Sequence, residues 1–275
     1  MEQRRIGDRP VSALGYGAMY LSVQGRPPEN QALATLAAVL AGGVTLIDTA
    51  DAYCLDESDT GHNERLIARA LRDNGTSTDQ VLVATKGGHI RPHGDWDVDG
   101  RPDYLRRACE ASLRALGVEA IDLYQYHRPD PTVPYEESVG AIADLQRAGK
   151  IRLVGLSNVS VAQLDTAQRL VEVVSVQNEF SHWKRRDEHN GVLRACARAR
   201  SAASPTCRTR RSAAATAPRG WARSRPWPPS PRGTARRRIR SCWRGCWPSR
   251  PSWSPFPARR VPSAYATTSP RRASR

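Results

Sequence analysis

Four side chains of complementary chemistry stand in the first half of the sequence: the carboxylate of Asp48, the phenol of Tyr53, the ammonium of Lys86 and the imidazole of His127. Singly, each has an ordinary structural reading. Asp48 caps a loop, Tyr53 packs at a surface, Lys86 snorkels to water ahead of Gly87-Gly88, and His127 fills a turn before Arg128-Pro129. Jointly they make a different set. A phenol is a weak acid at neutral pH, but an adjacent ammonium stabilises its phenolate and moves its pKa toward the working range. A buried carboxylate holds that ammonium in place and keeps it charged. An imidazole nearby hydrogen-bonds a carbonyl oxygen and orients it. Together these groups suit protonation of an oxygen on which negative charge develops.

The elements that must deliver them are legible in the apolar pattern. Val11 to Gly17, Thr45 to Asp48, Val81 to Thr85, Ile121 to Tyr126, Ile151 to Leu156 and Val173 to Val176 are short apolar runs of the kind that strands buried on both faces present. Helical periodicity fills the intervals. The helix from about Pro28 to Ala41 puts Leu33, Leu36, Ala37 and Leu40 on one face and stops at Gly42-Gly43. Further helices run around Glu64 to Leu71, through Leu105, Cys109, Ser112, Leu113 and Leu116, and from Tyr135 to Ala148. Ser160 with Gln163 opens the next as a capping box, and Val192 to Ala199 starts a sixth.

Strands each followed by a helix mean an α/β protein with a parallel sheet covered by helices. Asp48, Lys86, His127, Ser157-Asn158 and Gln177-Asn178 all fall where an apolar strand ends at its carboxyl side. Five successive strands delivering polar groups to one rim is the layout of a (β/α)8 TIM barrel, here with about six βα units intact. No Gly-x-Gly-x-x-Gly follows the first strand, so a Rossmann nucleotide site has no support.

Composition divides the 275 residues sharply. Residues 1–196 hold 22 bases against 27 acids, a net of −5, in the mixture of an ordinary globular domain. Residues 197–275 hold 20 Arg, no Lys and no acid, with 12 Pro, 12 Ser and no Leu, which cannot build an ordinary core. No apolar run is long enough for a spanning helix, and Met1-Glu2-Gln3-Arg4-Arg5-Ile6 lacks the apolar stretch of a signal peptide. Six scattered Cys make no disulfide framework. A cytoplasmic protein is expected, without a metal: Cys242 and Cys246 have no second ligand pair.

The ordered motifs resemble those of the aldo-keto reductases. They are Gly43-Val44-Thr45-Leu46-Ile47-Asp48-Thr49-Ala50-Asp51-Ala52-Tyr53 and Gly61-His62-Asn63-Glu64. Lys86 then follows in Val83-Ala84-Thr85-Lys86-Gly87-Gly88, and His127 ends Ile121-Asp122-Leu123-Tyr124-Gln125-Tyr126-His127. Gly149-Lys150-Ile151-Arg152, Val154-Gly155-Leu156-Ser157-Asn158 and Val176-Gln177-Asn178 complete them. The resemblance covers roughly residues 5–196. It implies a TIM barrel that transfers a hydride from NADPH to an aldehyde or ketone, with a small carbonyl compound as partner rather than nucleic acid or membrane. It implies Tyr53 as proton donor, Lys86 and Asp48 as its tuners, and His127 as orienter of the carbonyl. Ser157, Asn158 and Gln177 would hold the nicotinamide carboxamide. A non-catalytic cofactor-binding barrel is the alternative, and the intact set of four argues against it.

Two family features are missing after residue 196: a seventh strand ending in a Pro-Tyr-Ser-Pro-Leu-Gly type motif, and an eighth followed by a 2′-phosphate loop. Of the 79 tail residues, 75 require codons with G or C in the middle, the exceptions being Ile239, Phe256, Val261 and Tyr265. That bias belongs to third bases of a GC-rich gene, so the tail reads as out of frame. Joining each free third base to the fixed first two bases of the next codon permits Tyr-Leu-Pro-Tyr-Ser-Pro-Leu-Gly from the residues after Ser201. It permits Val-Val-Val-Pro-Ile-Pro-Gly-Ala-Ser-Arg further on. Both missing motifs return in order, with the slip around Cys196 to Ser201, and the 275-residue chain itself is expected to lack activity. The rival reading, a nucleic-acid arm of Arg interleaved with Trp221, Trp227, Trp243, Trp247 and Trp253, explains the same composition less completely.

Overall fold

The alternation of apolar runs and amphipathic stretches becomes alternating strands and helices in a computed structural model, which describes residues 1–181 and 183–201. From residue 202 onward the expected out-of-frame tail lies outside the described residues. Two short antiparallel strands, β1 (Gln3–Ile6) and β2 (Arg9–Ser12), come first, then β3 (Tyr16–Gly17), α1 (Glu29–Ala41), β4 (Leu46–Asp48), α2 (His62–Asp73) and β5 (Leu82–Gly87). A second hairpin, β6 (His89–Ile90) with β7 (Asp97–Val98), precedes α3 (Pro102–Leu116). The chain continues through β8 (Ile121–Tyr126), α4 (Tyr135–Arg147), β9 (Ile151–Ser157), α5 (Val161–Gln168), β10 (Val173–Gln177), α6 (Arg186–His189) and α7 (Val192–Ser201).

Six strands form one sheet in the order β3-β4-β5-β8-β9-β10, each pair parallel. The order follows the sequence without reversal. A doubly wound sheet would reverse direction at a switch point, so this is the wall of a (β/α)8 barrel rather than an open nucleotide-binding sheet. Helices cover its outer side. Leu36, Ile67 and Leu71 pack on Ile47 and Val83, while Leu105, Cys109, Val139, Ile142 and Leu164 pack on Tyr124, Val154 and Val173. The capping box stands as read, with Ser160 accepting from the Gln163 backbone and the Gln163 side chain accepting from the Ser160 N–H.

One strand is not where the sequence reading puts it. Val11 to Gly17 is divided between β2 and β3, with an exposed bend at Leu14. Ser12 causes the break: its hydroxyl donates to the Leu14 carbonyl at 2.7 Å, and its N–H donates to the Thr45 hydroxyl at 2.7 Å. The bend lets β1 and β2 fold across one end of the sheet. There Ile6 and Val11 pack on Leu46 and Leu82, the first residues of β4 and β5, and on Leu123 and Val174. An apolar barrel floor left open would face water, and the hairpin covers it. No described helix is long and apolar enough to cross a membrane.

Candidate active site

The rim opposite that hairpin is built where the strands end. Asp48 closes β4, Lys86 is the next-to-last residue of β5, His127 follows β8, and Ser157 and Gln177 close β9 and β10. Tyr53 lies on the loop after β4, which is tied down at several points. The Thr49 N–H donates to the Ala84 carbonyl at 2.8 Å, and the Asp51 N–H to the Lys86 carbonyl at 3.2 Å. The Thr49 hydroxyl meets Asn63 at 2.6 Å, and Asn63 in turn donates to the Ala18 carbonyl at 2.9 Å. A phenol five residues past its strand is thereby held against the strand next door.

Lys86 is the hub. Its Nζ, almost wholly buried, donates to Asp48 Oδ2 at 2.8 Å, to the Thr49 carbonyl at 2.8 Å and to the Tyr53 hydroxyl at 3.1 Å. All three ammonium protons are used. Burial pulls the Lys86 pKa down, but Asp48 and Tyr53 beside it more than offset that and hold it above its ordinary value. Tyr53 moves in the direction opposite to the sequence expectation. Burial raises its pKa above the usual phenol value, Lys86 opposes this, and the carboxylates of Asp48 and Asp51 add to the rise. The ammonium is shared with Asp48, so its pull on the phenol is diluted.

His127 meets Tyr53 edge-on, ring centroids 5.7 Å apart, and neither of its ring nitrogens hydrogen-bonds a described residue. Burial, then Lys86, His89 and Arg128, hold its pKa well below the ordinary imidazole value, so the ring is neutral. The two groups line a cavity of about 450 Å³ together with Met19, His89, Trp96, Arg128 and Asn158. His89 and Trp96 come from the β6–β7 hairpin and were not singled out from the sequence. The available signal was the polar and aromatic stretch His89-Ile90-Arg91-Pro92-His93-Gly94-Asp95-Trp96, set between a rim lysine and a helix.

The residues expected to hold a carboxamide come together beside this cavity. Asn158 has a left-handed backbone (φ 59) and donates through Nδ2 to the His127 carbonyl and to Ser157 Oγ, both at 3.0 Å. Gln177 accepts at Oε1 from Gln125 Nε2 at 3.0 Å. These bonds leave Asn158 Oδ1 and Gln177 Nε2 without a partner among the described residues. One is an acceptor and one a donor, which is the complement of a primary carboxamide. Asn178 serves the backbone instead, its side chain accepting from the Val159 N–H at 3.0 Å and donating to the Val159 carbonyl at 2.8 Å. The stretches after Ser201 in which the seventh-strand motif and the 2′-phosphate loop were read lie outside the described residues.

Comparison with known proteins agrees with this geometry. A sequence model described as the Aldo/keto reductase family matches residues 13–202. An uncharacterized oxidoreductase of Schizosaccharomyces pombe is 38% identical over 197 residues, 70% of this chain and 61% of the yeast protein. Among solved structures, a glycerol dehydrogenase from Gluconobacter oxydans superposes with a TM-score of 0.60 at 33% identity, over 68% of this chain and 57% of that one. The holo form of an aldo-keto reductase from Bacillus halodurans gives 0.60 at 31% identity, over 70% and 62%. The chain thus spans about three fifths of the length of these relatives.

Proposed function

This chain belongs to the aldo/keto reductase family, and from that premise we propose that its gene encodes a cytoplasmic, NADPH-dependent reductase of aldehydes or ketones. The observation that carries the reading is the hydrogen-bonded row Asp48–Lys86–Tyr53 on the wall of a cavity that His127 also lines. Reduction adds a hydride to the carbonyl carbon and a proton to its oxygen, giving an alcohol and the oxidised cofactor. When bound, the reduced nicotinamide supplies the hydride. Ser157, Asn158 and Gln177 would hold its carboxamide, Asn158 Oδ1 and Gln177 Nε2 being the unpartnered acceptor and donor. Tyr53 gives its phenolic proton to the carbonyl oxygen. Lys86, 3.1 Å away, stabilises the phenolate left behind, and Asp48 keeps Lys86 placed and charged. Neutral His127 still carries one N–H, which donates to the same oxygen and orients it.

We further infer that residues beyond about Cys196 to Ser201 are translated out of frame. The family match stops at residue 202, shortly after the last acid, Glu188, and the last Leu, Leu193. In the restored frame the Tyr-bearing seventh strand and the phosphate loop return, and that loop's Ser and Arg suit a 2′-phosphate. Resequencing codons 194–203 tests the slip directly. The restored chain is then assayed for aldehyde-dependent loss of NADPH absorbance, with NADPH used about tenfold more efficiently than NADH. Absence of turnover across a panel of aldehydes and ketones removes the reductase reading, and equal use of both cofactors removes the phosphate loop.

A further inference from the structure

We propose that Arg128 selects carbonyl substrates that carry a carboxylate, a specificity that rests on the reductase reading above. Arg128 directly follows His127 and stands on the wall of the same cavity as Tyr53. Its Nε donates to His89 Nε2 at 3.4 Å, while His89 Nδ1 donates to the Asp97 carbonyl at 2.9 Å. The Asp97 carbonyl can only accept, so the His89 proton sits on Nδ1 and Nε2 is free to take the Arg128 N–H. The β6–β7 hairpin thus holds the guanidinium by its Nε edge. Both Nη groups are left without an acceptor among the described residues, and Arg128 makes no ion pair among them.

The neighbouring cations are already answered. Lys86 is matched by Asp48. Arg91 is buried, with its N–H groups on the carbonyls of Cys54, Leu55 and Gly94 and its face 4.1 Å from the Trp96 ring, so it builds the hairpin rather than facing the cavity. Asp97 lines the cavity too, but its Oδ1 takes the Val98 N–H at 2.8 Å and it does not pair with Arg128. Among the described residues one open guanidinium fork therefore remains beside the reacting groups, and such a fork matches a carboxylate with two parallel hydrogen bonds. Trp96, edge-on to Tyr53 at 6.4 Å, provides an apolar wall for the part of the substrate joining carbonyl to carboxylate.

Two probes of equal size, 4-formylbenzoate and 4-formylbenzamide, test this on chains carrying Arg128 or Arg128→Gln. Ligand-observed NMR gives their dissociation constants on the 275-residue chain, and steady-state kinetics gives kcat/KM on the frame-restored chain. In each assay the charged probe is favoured about tenfold, the scale of one charge-assisted contact at a partly solvated site. Arg128→Gln brings the ratio to about one. A ratio near one with Arg128 present, a ratio that the substitution leaves alone, or no binding of either probe overturns the proposal. Discrimination in binding without turnover of either aldehyde keeps the anion selectivity of the cavity and overturns the reductase reading instead.

Discussion

The proposed role of Tyr53 as proton donor requires its protonated form, and burial, by raising its pKa, extends that form further above neutral pH. Lys86 matters once the proton has left, when a buried phenolate would otherwise stand alone. Tyr53→Phe in the restored chain is expected to remove carbonyl reduction while NADPH binding stays within about twofold. Retention of more than about a tenth of kcat, a barrier change below about 1.4 kcal/mol, would exclude Tyr53 as the acid. The reductive rate should be level across neutral pH and fall as pH rises through the raised phenol pKa, because the phenolate has no proton to give. A second buried acid acts on stability. Glu64 is fully enclosed: Oε1 accepts from the Thr85 hydroxyl, Oε2 has no partner, and burial pushes its pKa up to about 7. An acid with a raised folded pKa contributes stability that is complete below its ordinary range near 4.5 and is lost as pH rises through about 7. Thermal melts at pH 5 and pH 8 should differ by about 5 °C, and Glu64→Gln should remove most of that difference. An unchanged difference in the variant would assign the pH dependence to other groups.

At the level of elements, β5 packs tightly against β8 just past Lys86. Gly87 follows Lys86, and a Cβ added there would lie 2.0 Å from the hydroxyl oxygen of Tyr124. Tyr124 is fully buried within the helix-covered layer and cannot swing away. The missing side chain at Gly87 therefore lets Tyr124 fill the helix-covered layer directly beside Lys86. Gly87→Ala should cost about 1–3 kcal/mol, the usual range for overpacking, and lower the melting temperature by several degrees. A shift under about 1 °C would mean that Tyr124 relocates freely. The β6–β7 hairpin contributes differently. It has only two residues in each strand, yet it supplies His89 and Trp96 to the cavity and is anchored by the carbonyl bonds of Arg91.

For the whole molecule, the decisive fact is that among the described residues the six-stranded sheet ends at β3 on one side and β10 on the other. A barrel removes both edges by joining them through a seventh and an eighth strand, and those strands also bring the remaining inward-facing side chains. Folded domains are stable by only about 5–15 kcal/mol, so an out-of-frame tail that supplied neither strand would take much of that margin. The 275-residue chain should melt at least about 10 °C below the frame-restored chain and show no carbonyl reduction. Coincident melting curves would mean that the Arg- and Pro-rich tail stabilises the barrel wall as well as the inferred strands do.

Asp48, Lys86 and His127 were legible because the end of a buried strand is a local property: an apolar run stops and a polar residue comes next. The capping box of Ser160 and Gln163, the helix stop at Gly42-Gly43, and the sequential strand pattern are local in the same sense. Three things were decided only by the tertiary structure. Val11 to Gly17 split because Ser12 found Thr45, 33 residues away. His89 and Trp96 joined the cavity because β7 turned back on β6. The Tyr53 pKa rose rather than fell because burial outweighed the ammonium beside it. Pattern and propensity depend on neighbours along the chain, whereas burial and pairing depend on residues far apart in sequence, and only the packed barrel wall determines which of those meet.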